Sequence, residues 1–143
     1  MADLIRTVFA KLTELEWVAI LVVRLSVGTE FLIAGFGKLG DLEKFTRYFA
    51  ELGIPAPALQ APFVATLEFV GGIGLILGLG TRFFAAPLAI TMIVAILTAT
   101  ELSTLGNFLY LSEWNLFLLL GWLGFSGPGR ASIDHRIDAR SSS

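Results

Sequence analysis

The amino-acid sequence predicts an all-α polytopic membrane protein: an up-and-down four-helix transmembrane bundle with short interfacial amphipathic helices. Composition is the first reason. Of 143 residues, 55% are hydrophobic and 15% are charged, with a mean hydropathy of +0.79, whereas a soluble domain carries about 25% charged residues. The second reason is the presence of four long apolar runs, over about 17–38, 61–79, 83–101 and 108–125, each close to the ~20 residues that cross a bilayer core. The third is that the turns between them are short, which makes sequential spans antiparallel neighbours in a single membrane domain over 1–143.

Residues 3–15 place Leu4, Ile5, Val8, Phe9, Leu12 and Leu15 at helical spacing, with Asp3, Arg6, Lys11 and Glu14 mostly off that stripe. The pattern predicts a helix lying in the interface. The segment is too charged for a cleavable signal peptide. Trp17 then marks the headgroup boundary. The first span carries Arg24, Glu30 and Lys38. At 100° per residue, Arg24, Gly28, Phe31, Gly35 and Lys38 share one narrow stripe. A charge in hydrocarbon costs roughly 2.5–3.5 kcal/mol on insertion scales, so this face is expected to look into protein.

Over 41–52, Leu42, Phe45, Tyr48, Phe49 and Leu52 recur at helical spacing between charges, and Gly53 follows. This is a second interfacial helix with its stop signal. Residues 54–62 hold three prolines and are expected to fold over one end of the bundle as a lid, with Pro62 in the first turn of the next span. That span contains Glu68, then Gly71, Gly72, Gly74 and Gly78. Gly74 and Gly78 form a GxxxG pair that permits close helix approach. Arg82 marks the aqueous end of the following turn. The third span carries Pro87 early and no charge before Glu101, and a short loop covers 102–111. The fourth span carries Ser112, Glu113 and Asn115 in its first part and ends at Phe125, where SGPGR breaks the helix. The polar tail is expected to fray.

Four spans put the N-terminus, the turn between spans two and three and the C-terminal tail on one side. That side carries six cations (Arg6, Lys11, Arg82, Arg130, Arg136, Arg140) against three opposite (Lys38, Lys44, Arg47). The excess predicts cytoplasmic termini in a bacterial-type inner membrane. The chain has no cysteine, which excludes a disulfide, a thiolate metal site and an iron–sulfur cluster. Its one histidine, His135, lies in the tail, which excludes a haem held between transmembrane histidines. Neither a metal nor a covalent cofactor is expected, and a net charge of −2 gives no case for nucleic acid. Electrons in any redox role must reside on a bound small molecule or a partner.

Four motifs in order resemble the DoxX family of small four-helix membrane proteins. They are Arg24, Gly28, Phe31, Gly35 and Lys38 in the first span; LGIP at 52–55; Glu68, Gly71 and Gly72 running on to GLGTR at 78–82; and Glu113 and Asn115 followed by GPGRASID at 127–134. The resemblance covers almost the whole chain. It implies a membrane subunit: some members belong to thiosulfate:quinone oxidoreductases, and others are linked to oxidative-stress or sulfur-transfer partners. A family mechanism that uses a thiol does not apply to this chain.

The intramembrane charges carry three readings. In the first, Arg24 and Glu68 form a buried ion pair that fixes helix register. In the second, Arg24, Glu30, Lys38 and Glu68 form a polar site for a quinone, with Arg24 stabilising the ring or a carboxylate and Glu68 relaying a proton. In the third, the charges serve proton or ion transport. The glycines 28, 35, 71, 72, 74 and 78 serve helix packing. Phe45, Tyr48, Phe49 and Phe63 read first as an interfacial aromatic belt and second as the lining of a hydrophobic mouth. The functional expectation is a membrane subunit of a quinone-linked redox system, at most part of a quinone-linked oxidoreductase. It would bind quinone or anchor a soluble oxidoreductase. The alternative is a non-catalytic accessory subunit of a larger membrane complex, with a small transporter as the third class. Lipids surround the chain in each case.

Overall fold

The computed structural model describes residues 14–99 and 112–141, together with Met1. Its regular structure is helical: α1 (Glu16–Gly40), α2 (Leu42–Glu51), α3 (Pro57–Leu77), α4 (Thr81–Ala99), α5 (Ser112–Ser126) and α6 (Ile133–Ser141). Three helices are long and apolar enough to cross a membrane, namely α1, α3 and α4 over Thr81–Thr98. The expected fourth span corresponds to α5, whose 15 described residues, about 22 Å of helix, fall short of the ~20 residues that cross a bilayer core. Residues 108–111 of that span lie outside the described residues. So do residues 100–101 of the third span, the 102–111 loop, and all of the expected 3–15 helix except Glu14 and Leu15.

Side chains from α1, α3, α4 and α5 meet in one core, including Val27, Phe31, Leu75, Leu88, Leu120 and Leu123. A smaller cluster at the opposite end joins Phe49 and Ile54 to Ala61, with Phe45, Leu52 and Val64 against it. This cluster is what the expected lid becomes. Ile54 is buried and its N–H donates to the Phe49 carbonyl at 3.0 Å, so the segment after α2 folds back onto α3. Asp41 starts α2 by accepting the Lys44 N–H at 3.1 Å, an N-cap that satisfies an otherwise orphaned donor.

The second span starts earlier than expected, at Pro57 instead of 61. Ala56 adopts a left-handed conformation (φ 49°) and Pro57 takes the first helical position, where a missing N–H costs nothing. Pro62 therefore sits inside α3. At the other end Gly78 (φ 67°) caps the helix, its N–H donating to Gly74 and Leu75 carbonyls, as left-handed C-caps do.

Glycines bring α1 and α3 to backbone contact. A Cβ on Gly72 would lie 2.5 Å from Leu32 N and 2.7 Å from Gly28 O, and one on Gly35 would lie 2.8 Å from Phe69 Cα. Gly28 faces Ile76, where an added Cβ would come within 2.8 Å of Cγ1. Gly71 and Gly74 face the other way, toward Leu88 and the Phe84 ring of α4, at 3.0 and 2.6 Å. Gly74 and Gly78 thus do not form one contact stripe: the first seats a ring and the second ends the helix.

Candidate functional site

The α1–α3 register decides which charges can meet. The chains run antiparallel, with Gly28 opposite Gly72 and Ile76, and Gly35 opposite Glu68 and Phe69. Glu68 is therefore level with Gly35, about 16 Å along the axis from Arg24 but only about 4.5 Å from Lys38. The expected Arg24–Glu68 pair does not form. Two separate polar centres form instead, about 21 Å apart along α1.

Arg24 is 1% exposed and lies opposite the α3–α4 turn. Its Nη1 donates to the Pro128 carbonyl and its Nη2 to the Ala131 carbonyl at 2.5 Å. The GPGRASID segment closes over it. Ser132 Oγ donates to the Gly129 carbonyl at 2.7 Å and accepts the His135 N–H at 3.1 Å. Asp134 accepts the N–H groups of Gly80 and Thr81 at 3.0 and 3.3 Å, and its own N–H donates to Gly78 O at 3.2 Å. Asp134 also acts electrostatically on Arg24. Gly78 makes room: a Cβ there would stand 2.6 Å from both Arg24 Nη1 and Ser132 Cβ. Arg24 Nε and Thr81 Oγ1 are the buried side-chain polar atoms that the described residues leave unbonded. A guanidinium committed to backbone carbonyls beneath a closed loop is a clasp between α1, the α3–α4 turn and the chain after α5. It touches no cavity that holds Glu68.

At the other centre, Lys38 Nζ donates to both oxygens of Glu68, at 2.6 and 2.5 Å. Glu68 is 1% exposed, and the Phe45 ring centroid lies 5.0 Å from the ammonium, close enough for a cation–π contact. The pair faces a cavity of about 570 Å³. Five helices line it: Glu30, Phe31 and Lys38 from α1; Phe45, Tyr48 and Phe49 from α2; Phe63, Val64 and Glu68 from α3; Thr91 and Met92 from α4; Glu113 and Leu116 from α5. The walls are largely apolar, and the polar groups are few. That is the make-up of a small-molecule site.

Of the four sequence-derived candidates, the cavity brings together Glu30, Lys38 and Glu68, and leaves Arg24 out. The aromatic residues first read as a belt line this cavity. Periodicity had already put Phe45, Tyr48 and Phe49 on one face of α2; what it lacked was the partner surface. Thr91 and Thr98, which also line the cavity, carry no sequence signal, being isolated threonines in an apolar helix. The described residues contain no group of three or more His, Cys, Asp or Glu placed to hold a metal ion.

The family model described as DoxX matches residues 19–101. The uncharacterized membrane protein Rv3486 of Mycobacterium tuberculosis is 36% identical over 136 residues, covering 85% of this chain and 83% of its own. The inner membrane protein YqjF of Escherichia coli is 32% identical over 130 residues, covering 89% and 98%. A Bacillus subtilis protein named "Putative oxidoreductase CatD" is 31% identical over 101 residues, covering 70% and 71%. No solved structure matches the chain.

Proposed function

The chain belongs to the DoxX family of membrane proteins, and from that premise we propose that it serves a quinone-linked redox system by holding a quinone ring in the five-helix cavity. The observation that carries this reading is the pairing of half-buried Lys38 with buried Glu68, facing an apolar cavity of about 570 Å³, within the roughly 300–1,000 Å³ typical of small-molecule pockets. The bound ring supplies the electron chemistry. The chain's own groups bind and position it. Phe31, Phe45 and Phe63 offer apolar and aromatic surface. Lys38 Nζ is a donor for a ring oxygen, and Glu68 is the acceptor or source of a proton at that oxygen. Glu30 and Glu113 are further carboxylates on the wall that can pass a proton outward. The name of the Bacillus subtilis relative supports the redox half of the reading. The cation bias of the sequence supports cytoplasmic termini, and the names of the Escherichia coli relatives support an inner-membrane location.

The test is purification of the full chain in mild detergent, with extraction and mass-spectrometric counting of quinone per chain. The expected result is near-stoichiometric quinone on the wild type. Glu68→Gln should lower retention by about tenfold, the scale of one lost charge-assisted hydrogen bond. A quinone-free chain bound to a larger complex would replace the proposal with the accessory-subunit reading. Ion flux in liposomes containing the pure protein would replace it with the transporter reading.

A further inference from the structure

We propose that a groove at the Arg24 end of the bundle is a site for the phosphate headgroup of an anionic phospholipid. The groove, about 650 Å³, lies between the α3–α4 turn and the segment that clasps Arg24, and its walls include Arg82, Phe83, Arg130, His135 and Ile137. One carboxylate, Asp134, shares the lining, but its oxygens are turned inward to the Gly80 and Thr81 N–H groups and toward buried Arg24. Arg82 and Arg130 keep their charge for the groove. Neither has an ion pair among the described residues, and the Arg82 bond is to a neutral acceptor, the Phe125 carbonyl at 3.3 Å. Two guanidiniums on one groove match the oxygens of a phosphate, which they can bind in forked pairs.

The rim identifies the source of that phosphate. Phe83 is 75% exposed, Phe125 is 89% exposed and Ile137 is 54% exposed. Phe125 is the residue whose carbonyl accepts from Arg82, so an apolar surface begins where the cationic one ends. Phe83 stands at the N-terminal end of α4, Phe125 at the C-terminal end of α5 and Ile137 on α6, and the first two mark where apolar helices leave hydrocarbon for headgroups. A free phosphate would use the arginines and leave the rim uncovered; a phospholipid uses both. Basic pockets at helix ends hold anionic headgroups by this combination. The site is independent of any ligand in the Lys38–Glu68 cavity.

The experiment uses the full chain, delipidated in mild detergent and then offered phosphatidylglycerol or phosphatidylcholine in mixed micelles, with bound lipid counted by native mass spectrometry. Wild type is expected to retain phosphatidylglycerol over phosphatidylcholine by about tenfold. The double variant Arg82→Gln/Arg130→Gln should bring that preference below about twofold. Arg130 is exposed and has no hydrogen bond among those described, so Arg130→Gln alone gives a variant that folds and should lose about half the preference on a logarithmic scale. Equal retention of the two lipids by wild type, or an undiminished preference in either variant, overturns the proposal. So does displacement of phosphatidylglycerol by millimolar inorganic phosphate, which would mark the groove as a site for a free anion.

Discussion

α1 carries two cations on one stripe, buried Arg24 and half-buried Lys38, and the two serve opposite ends. Arg24 is held by fixed partners: its two Nη groups donate to backbone carbonyls beneath a closed loop, with Asp134 acting on its charge. Lys38 is held by one side chain, Glu68, on the wall of a cavity. A guanidinium bonded to backbone has no second arrangement available without moving the chain. A pair of side chains facing open space can exchange one partner for a ligand. Burial and charge alone therefore do not mark a functional residue. What distinguishes the two centres is whether the partners can change.

The largest effect is expected from removing the separation between the centres. Gly35→Leu places a side chain into the backbone of α3 and should cost about 3 kcal/mol or more. In a thermal-unfolding assay in detergent this is a fall of roughly 10 °C or more, scaled by chain length. Gly37→Leu on the same helix, where an added Cβ meets nothing within 4 Å, should leave the midpoint within about 2 °C. Equal losses in the two variants would mean that the α1–α3 contact does not set the register.

Next in size is Arg24→Gln, which strips both carbonyls of their charged donor and should destabilise by about 3 kcal/mol. Proteolysis within 127–134 should accelerate, while ligand retained in the cavity stays at the wild-type level. Arg24→Lys should not restore the clasp, since one ammonium does not reproduce a forked pair of bonds. Lost cavity binding with an intact clasp would reverse the assignment of the two centres.

The smallest effect, and the sharpest on the comparison, is a double-mutant cycle. Lys38→Met leaves a buried carboxylate unpaired. Lys38→Met/Glu68→Gln removes that cost and should be the more stable of the two, with a coupling of about 1–3 kcal/mol. Stability should recover in the double variant while ligand retention does not. An additive cycle would show that the pair contributes no coupling.

Much of this was legible in the residues. Hydropathy marked the spans, and helical spacing placed Arg24, Gly28, Phe31, Gly35 and Lys38 on one buried-facing stripe. It also gave α2 an apolar face. Arg24, Gly28, Phe31 and Gly35 are indeed buried. The pairing of charges was not legible. Depth counted from the ends of apolar runs carries an error of several residues, and Pro57 taking the helix start from Pro62 is one such error. A shift of one helical turn, about 5.4 Å, exchanges one partner for another. The partners of Arg24 were also out of reach, because backbone carbonyls have no sequence signature.

By itself, then, the sequence determined a helical membrane fold, its apolar spans, and the set of charges that must find partners inside it. Those follow from local periodicity and from the cost of an unpaired charge in hydrocarbon. Tertiary structure decided the rest. Glycine contacts slid α3 along α1 until Glu68 stood beside Lys38, and the segment after α5 returned to close over Arg24. Both depend on how far two helices can approach and in what register, a property of paired surfaces that no single stretch of chain contains.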